Sequence, residues 1–180
     1  MILKSFLATV TLGVLLYSGA ASAGGTDRAL TVTGATCLAT SGAVQYTQYG
    51  VHNPFSSDAQ VMCPISLYGL QSTNGSSSSS LGGCGVNPNP FVVVYDRHPS
   101  KDVSCTLYQA DTTGGIRNSW TATTSGFGPA AQTLTFPVGA ASATLNYGFH
   151  FWVSCSVPPV FNGNFSHVTS LTIKACDFVN

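Results

Sequence analysis

The feature that most constrains this chain is the stretch 145–157. Its odd positions read Leu145, Tyr147, Phe149, Phe151, Val153, Cys155 and Val157, and its even positions read Asn146, Gly148, His150, Trp152, Ser154 and Ser156. Side chains of a strand alternate between its two faces, so this order makes one apolar face and one polar face. A helix built from the same residues would scatter the apolar ones around its circumference. A chain carrying such a strand must form a sheet with one face buried and the other wet.

Shorter alternations recur at 44–49, at Val61-Met62-Cys63-Pro64-Ile65, at Val103-Ser104-Cys105-Thr106-Leu107 and at Leu171-Thr172-Ile173-Lys174-Ala175, each reading as a half-buried strand. Phe91-Val92-Val93-Val94-Tyr95 is apolar at consecutive positions, which predicts a central strand covered on both faces or one used at an interface. Segments 119–123 and 132–136 are weaker strand candidates. Between these runs lie Asn87-Pro88-Asn89-Pro90, Thr113-Gly114-Gly115, Gly126-Phe127-Gly128-Pro129 and Asn162-Gly163-Asn164, whose residues favour turns. The Ser-rich tract 76–80 reads as a flexible loop within 71–83. No segment combines helical periodicity with start and stop signals. The pattern predicts an all-β fold, an antiparallel sandwich or jelly roll of about eight or nine strands.

The first residues carry an export pattern: Lys4, an apolar run over 6–16, then Ala21-Ser22-Ala23 as a small-residue cleavage site. The expectation is a signal peptide at 1–23 and a single β-sandwich domain at 24–180. The apolar run is shorter than the roughly 18 to 20 residues that span a bilayer, so no membrane insertion is expected after cleavage. The expected location is periplasmic or extracellular. In an oxidising compartment the six cysteines are expected to form disulfides, although sequence alone does not choose among their pairings. Cys63, Cys105 and Cys155 share a parity with apolar neighbours and should face the core. Cys176 shares parity with Lys174 and Thr172, and Cys84 lies in a Gly-rich loop. These placements favour Cys105 with Cys155 across the core, Cys37 with Cys63, and Cys84 with Cys176.

Charge excludes several function classes. Six Lys and Arg balance six acidic residues, all of them Asp. The cations are scattered, whereas nucleic-acid binding and recruitment to anionic membranes need them clustered. A surface wetted mainly by Ser, Thr, Asn, Gln and Gly has little charge repulsion, so self-association is expected to be open to it. No Cys pair has the close spacing of a structural zinc site, and His52, His98, His150 and His167 are dispersed; no metal or cofactor is expected.

The succession Val61-Met62-Cys63-Pro64-Ile65, Val94-Tyr95-Asp96-Arg97, Val103-Ser104-Cys105-Thr106-Leu107 and Val153-Ser154-Cys155-Ser156-Val157-Pro158-Pro159 resembles a loose set of uncharacterised short exported bacterial all-β proteins. The likeness runs from Cys37 to Ile173. It implies an exported bacterial β domain and no catalytic residue, with Cys84 and Cys176 standing as additions to a commoner four-cysteine pattern.

Three constellations carry candidate chemistry. Asp96-Arg97-His98 holds a carboxylate and an imidazole, two parts of a hydrolytic triad, but it precedes Pro99 as a solvated turn would, and no Gly-x-Ser-x-Gly elbow supplies a nucleophile. Trp152 sits on the polar face of the strongest strand, where an indole can stack on a sugar ring or a partner side chain, unless a loop or second layer covers it. Trp120, among Asn118, Ser119, Thr121 and Thr123, raises the same alternatives. The favoured reading is a non-enzymatic surface, matrix or binding module contacting polysaccharide or protein, ahead of a pilin-like subunit assembling through a sheet edge, and ahead of a hydrolase using Asp96 and His98.

Overall fold

The computed structural model describes residues 26–65, 79–81, 89–138, 144–145 and 149–177. The expected signal peptide lies outside these residues. So do Cys84 and the side chain of Cys176, and with them the expected Cys84–Cys176 pairing.

Thirteen strands run along the described chain: β1 (Thr26–Thr33), β2 (Leu38–Ser41), β3 (Gln45–Thr47), β4 (Gly50–His52), β5 (Ala59–Ile65), β6 (Ser79–Leu81), β7 (Phe91–Tyr95), β8 (Ser104–Asp111), β9 (Ile116–Thr123), β10 (Ala131–Thr135), β11 (Thr144–Leu145), β12 (Phe149–Val157) and β13 (His167–Asp177). They form two antiparallel sheets. The five-stranded sheet has the order β2-β5-β12-β8-β9. The eight-stranded sheet follows β10-β7-β13-β4-β3, and in it β13 also pairs with β1 and β6, and β6 with β11. The count exceeds the expected eight or nine because β3, β4, β6 and β11 are pairings of two or three residues, too short to show a period. Ser79–Leu81, expected to be loop, is one of them.

The alternation at 149–157 works as its order requires. Phe151, Val153, Cys155 and Val157 are buried, while His150 is exposed and Trp152, Ser154 and Ser156 are half-buried on the outer face. β5 and β8 repeat the pattern through Val61, Cys63, Cys105 and Leu107. The opposite sheet contributes Val92, Val94, Leu134, Val168, Leu171 and Ile173, and all of these belong to one hydrophobic cluster between the sheets. The core is rich in Val because a β-branched side chain loses little rotamer freedom in a strand and packs well on a pleated surface.

Two expectations are corrected at the strand level. Segment 44–49 is not a half-buried strand: β3 covers only Gln45–Thr47, its residues are exposed, and the chain then turns into β4. Tyr46 faces solvent because β3 is an edge strand with no second layer over it. Phe91–Tyr95 is not covered on both faces. Val92 and Val94 enter the core, whereas Phe91, Val93 and Tyr95 lie half-buried on the outer face.

Cys37–Cys63 and Cys105–Cys155 are bridged as expected. Neither bridge crosses between sheets. Cys105 and Cys155 oppose each other on the adjacent strands β8 and β12, and Cys37 leads into β2, which pairs with β5 beside Cys63. Parity with apolar neighbours puts a cysteine on the inner face, and a directly opposed neighbour on that face is closer than anything on the other sheet. The two bridges fit an oxidising compartment. Among the described residues no helix is long and apolar enough to cross a membrane.

A bulge at Thr169 interrupts β13, shifting its register against β7 between Val168 and Ser170. Gly34 and Gly50 both press on the Val168 carbonyl there, and a Cβ on either would collide with it. Gly50 also has φ +121°, a region that L side chains rarely adopt. A Gly50→Ala variant is therefore expected to lose about 2 kcal/mol or more of stability in urea unfolding. Removing Cys105–Cys155 by paired Ala substitution should cost about 2 to 4 kcal/mol. With sequence separations of 50 and 26, that loss should exceed the loss from removing Cys37–Cys63 by about 0.6 kcal/mol, read from the two denaturation midpoints.

Candidate functional site

The bulge also shapes the outer face of the larger sheet. An extra residue in a strand re-aims side chains locally, and here Thr169 joins His167 in the lining of a groove of about 490 Å³. Gln45, Thr47, Tyr49, His52, Tyr95 and Phe165 complete that lining. Cross-strand register sets the row: Tyr95 on β7 opposes His167 on β13, His167 opposes His52 on β4, and His52 opposes Gln45 on β3. Neighbouring rings touch along it. Tyr95 and His167 have centroids 4.7 Å apart, His52 and His167 6.5 Å, and Phe165 tilts over His52 at 5.2 Å. Tyr49, in the β3–β4 turn, is 68% exposed and forms a rim. Thr169 Oγ1 is turned away from solvent beneath the lining and has no hydrogen-bond partner among the described residues.

The electrostatics of the groove are those of neutral rings. Burial holds the His52 imidazole below its ordinary value near 6.5. His167 is likewise held below it, first by burial and then by the charges of His52 and Arg97. The Arg97 guanidinium lies over the Tyr95 ring, 5.8 Å from its centroid. Among the described residues no three His, Cys, Asp or Glu side chains converge as a metal site would need.

The residues singled out from the sequence fall elsewhere. Asp96 and His98 do not form a dyad. The Asp96 carboxylate is fully buried and accepts from the Thr124 hydroxyl, the His98 amide at 3.1 Å and the Val103 amide at 3.4 Å. The His98 ring is turned away, with Nδ1 accepting from the Ser100 amide and the ring meeting Phe161 in a T-shaped contact at 5.4 Å. Asp96 thus ties the loops after β7 and β9 together instead of orienting a base. Trp152 is on the outer face of the smaller sheet as expected, neither covered nor isolated: it is half-buried and stacks on Tyr108 of the neighbouring strand at 5.2 Å and 16°. Trp120 is half-buried. It opposes Leu107 and packs against the core from the edge strand β9.

The groove residues were not among the sequence candidates. They come from three stretches, 45–52, Tyr95 and 165–169, and of them Tyr95 alone stands in a motif quoted above, Val94-Tyr95-Asp96-Arg97. The nearest signal was Tyr95 closing the apolar Phe91–Tyr95 run; the rest is brought together by register.

No family model matches the chain, and no curated protein matches it. Among solved structures it is similar to the CBM36-1 domain of a multidomain xylanase from the hindgut metagenome of Trinervitermes trinervoides, at 12% identity and TM-score 0.38, over 81% of this chain and 96% of that one. It is also similar to a carbohydrate-binding module CBM36 in complex with calcium and xylotriose, at 13% identity and TM-score 0.39, over 80% of this chain and 98% of that one. At this distance neither assigns a ligand to the groove.

The histidines make stability depend on pH. Their folded values lie below 6.5, so just under pH 6.5 the unfolded chain binds more protons than the folded one. Stability is then full above about pH 6.5 and falls as the pH drops through that value toward the folded ones. Chemical denaturation at a series of pH values should show this decline, and His167→Gln should flatten it. Asp111, whose carboxyl is held at about 2 by Thr113 first and then by Gly115 and Arg117, acts in a separate and more acid window.

Proposed function

We propose that the protein is an exported, non-catalytic β-sandwich module that binds polysaccharide in the groove on its larger sheet. The observation that carries this is the lining itself. Sugar rings present apolar C–H faces and a rim of hydroxyls, and the groove pairs exposed aromatic faces with uncharged hydrogen-bonding groups. Tyr49, Tyr95 and Phe165 supply the faces. Gln45 and Thr47 supply amide and hydroxyl partners, and neutral imidazoles both donate and accept.

The non-catalytic part of the reading is supported by the dismantled Asp96–His98 pair and by a lining that holds no carboxylate to serve as acid, base or nucleophile. The groove crosses β7, β13, β4 and β3, as suits a polymer passing across a sheet face.

Retardation of the native protein in gels containing soluble polysaccharides, followed by calorimetry on whichever polymer binds, tests the proposal. Tyr49→Ala and Phe165→Ala are each expected to weaken binding by about 1 to 2 kcal/mol, roughly five- to thirtyfold. Trp152→Ala on the other sheet should leave affinity unchanged. The opposite outcome, loss with Trp152→Ala and none with the groove variants, would move the contact to the Trp152–Tyr108 stack and overturn the groove assignment.

A further inference from the structure

We propose that the polysaccharide taken by this groove is acidic, with the Arg97 guanidinium pairing a uronic acid carboxylate while the aromatic lining holds the sugar rings. The proposal rests on the groove reading above and narrows it to one class of ligand.

Arg97 lines one concavity and lies over a ring that lines another. Through Tyr95, over which it lies, it adjoins the groove of about 490 Å³. It also lines a second cavity, of about 180 Å³, together with Phe127, Pro129, Phe161, Asn162 and Asn164. A chain lying in the first groove and continuing toward the second would pass the guanidinium. Exposed rings continue on that side, with Phe127 61% exposed and Phe161 38% exposed.

Among the described residues no carboxylate pairs with Arg97. Lys101 is bound by Asp58 at 2.8 Å and Arg117 by Asp111 at 2.7 Å. Asp96, next in sequence, points into the protein, where its oxygens are satisfied by Thr124, Val103 and His98. Among the described residues neither cavity has a carboxylate in its lining to repel an anion. A guanidinium presents a planar fork that matches a carboxylate in two parallel hydrogen bonds, and a ring beneath it holds that plane in place. The Arg97 backbone is fixed as well, its amide donating to the buried Ser166 hydroxyl at 2.9 Å.

The test uses the whole protein and matched polymers: polygalacturonate, alginate, hyaluronan and a glucuronoxylan, each beside its methyl ester, which keeps the rings and removes the charge. At least one acid polymer is expected to bind at least about tenfold more tightly than its own ester, with the preference shrinking as salt rises. Arg97→Gln should bring acid and ester to within about twofold, and Arg97→Lys should fall between, since it keeps the charge and loses the fork. Near-UV circular dichroism reports whether either variant is misfolded; the two substitutions share the backbone contact, so at least one folded variant reads the effect. Equal binding of every acid and its ester overturns the proposal, as does a preference that survives Arg97→Gln. If esters and neutral polymers bind and Tyr49→Ala abolishes that binding, the groove reading stands and only the acidic class is lost. If no polymer binds, both fall.

Discussion

Strand β13 is the member on which the larger sheet is assembled. It hydrogen-bonds to β1 and β4 on one side and to β7 and β6 on the other, so four strands take their register from its backbone. That arrangement works only if the interruption at Thr169 can be accommodated. Gly34 and Gly50 make room, letting two other segments press against the Val168 carbonyl. Inward of the bulge, Val168 completes the core; outward, His167 and Thr169 enter the groove. One irregularity of backbone thus serves packing and recognition at once.

The two sheets divide their outer faces by chemistry. On the smaller sheet Ser104 and Thr123 share a hydrogen bond, as do Thr106 and Thr121, and Trp152 stacks on Tyr108. Polar groups there largely satisfy one another. On the larger sheet the row from Tyr95 to Gln45 is three rings and one amide lining an open groove. That difference, more than any single residue, distinguishes a face that is merely wet from one suited to a ligand.

How much of this was legible in the sequence follows from what produces each part. Period-two order over 149–157, 61–65 and 103–107 dictated β12, β5 and β8, because only one face of each can be buried. Parity likewise turned Cys105 and Cys155 inward, but it could not tell an opposed neighbour from a residue across the core. β1 went unrecognised although Leu30 and Val32 alternate with Thr31 and Thr33; its signal is short and abuts the export segment. The groove was beyond reach for a different reason. Its row depends on which strands lie side by side and on a one-residue slip in β13, and no local composition encodes either. Trp152 and Trp120 stood out by residue type alone, yet β9 carries Trp120 with the parity of its core-facing partner Leu107.

The buried carboxylate of Asp96 has a consequence for how a ligand would be met. Its oxygens clasp the loops that follow β7 and β9, and its own carbonyl accepts the Gly128 amide at 2.9 Å. The Arg97 and Gly128 sides of the smaller cavity are therefore anchored to one internal residue. A surface so braced is already ordered when unoccupied, so association should proceed as docking onto a finished shape, with small entropic penalty and little rearrangement of main chain.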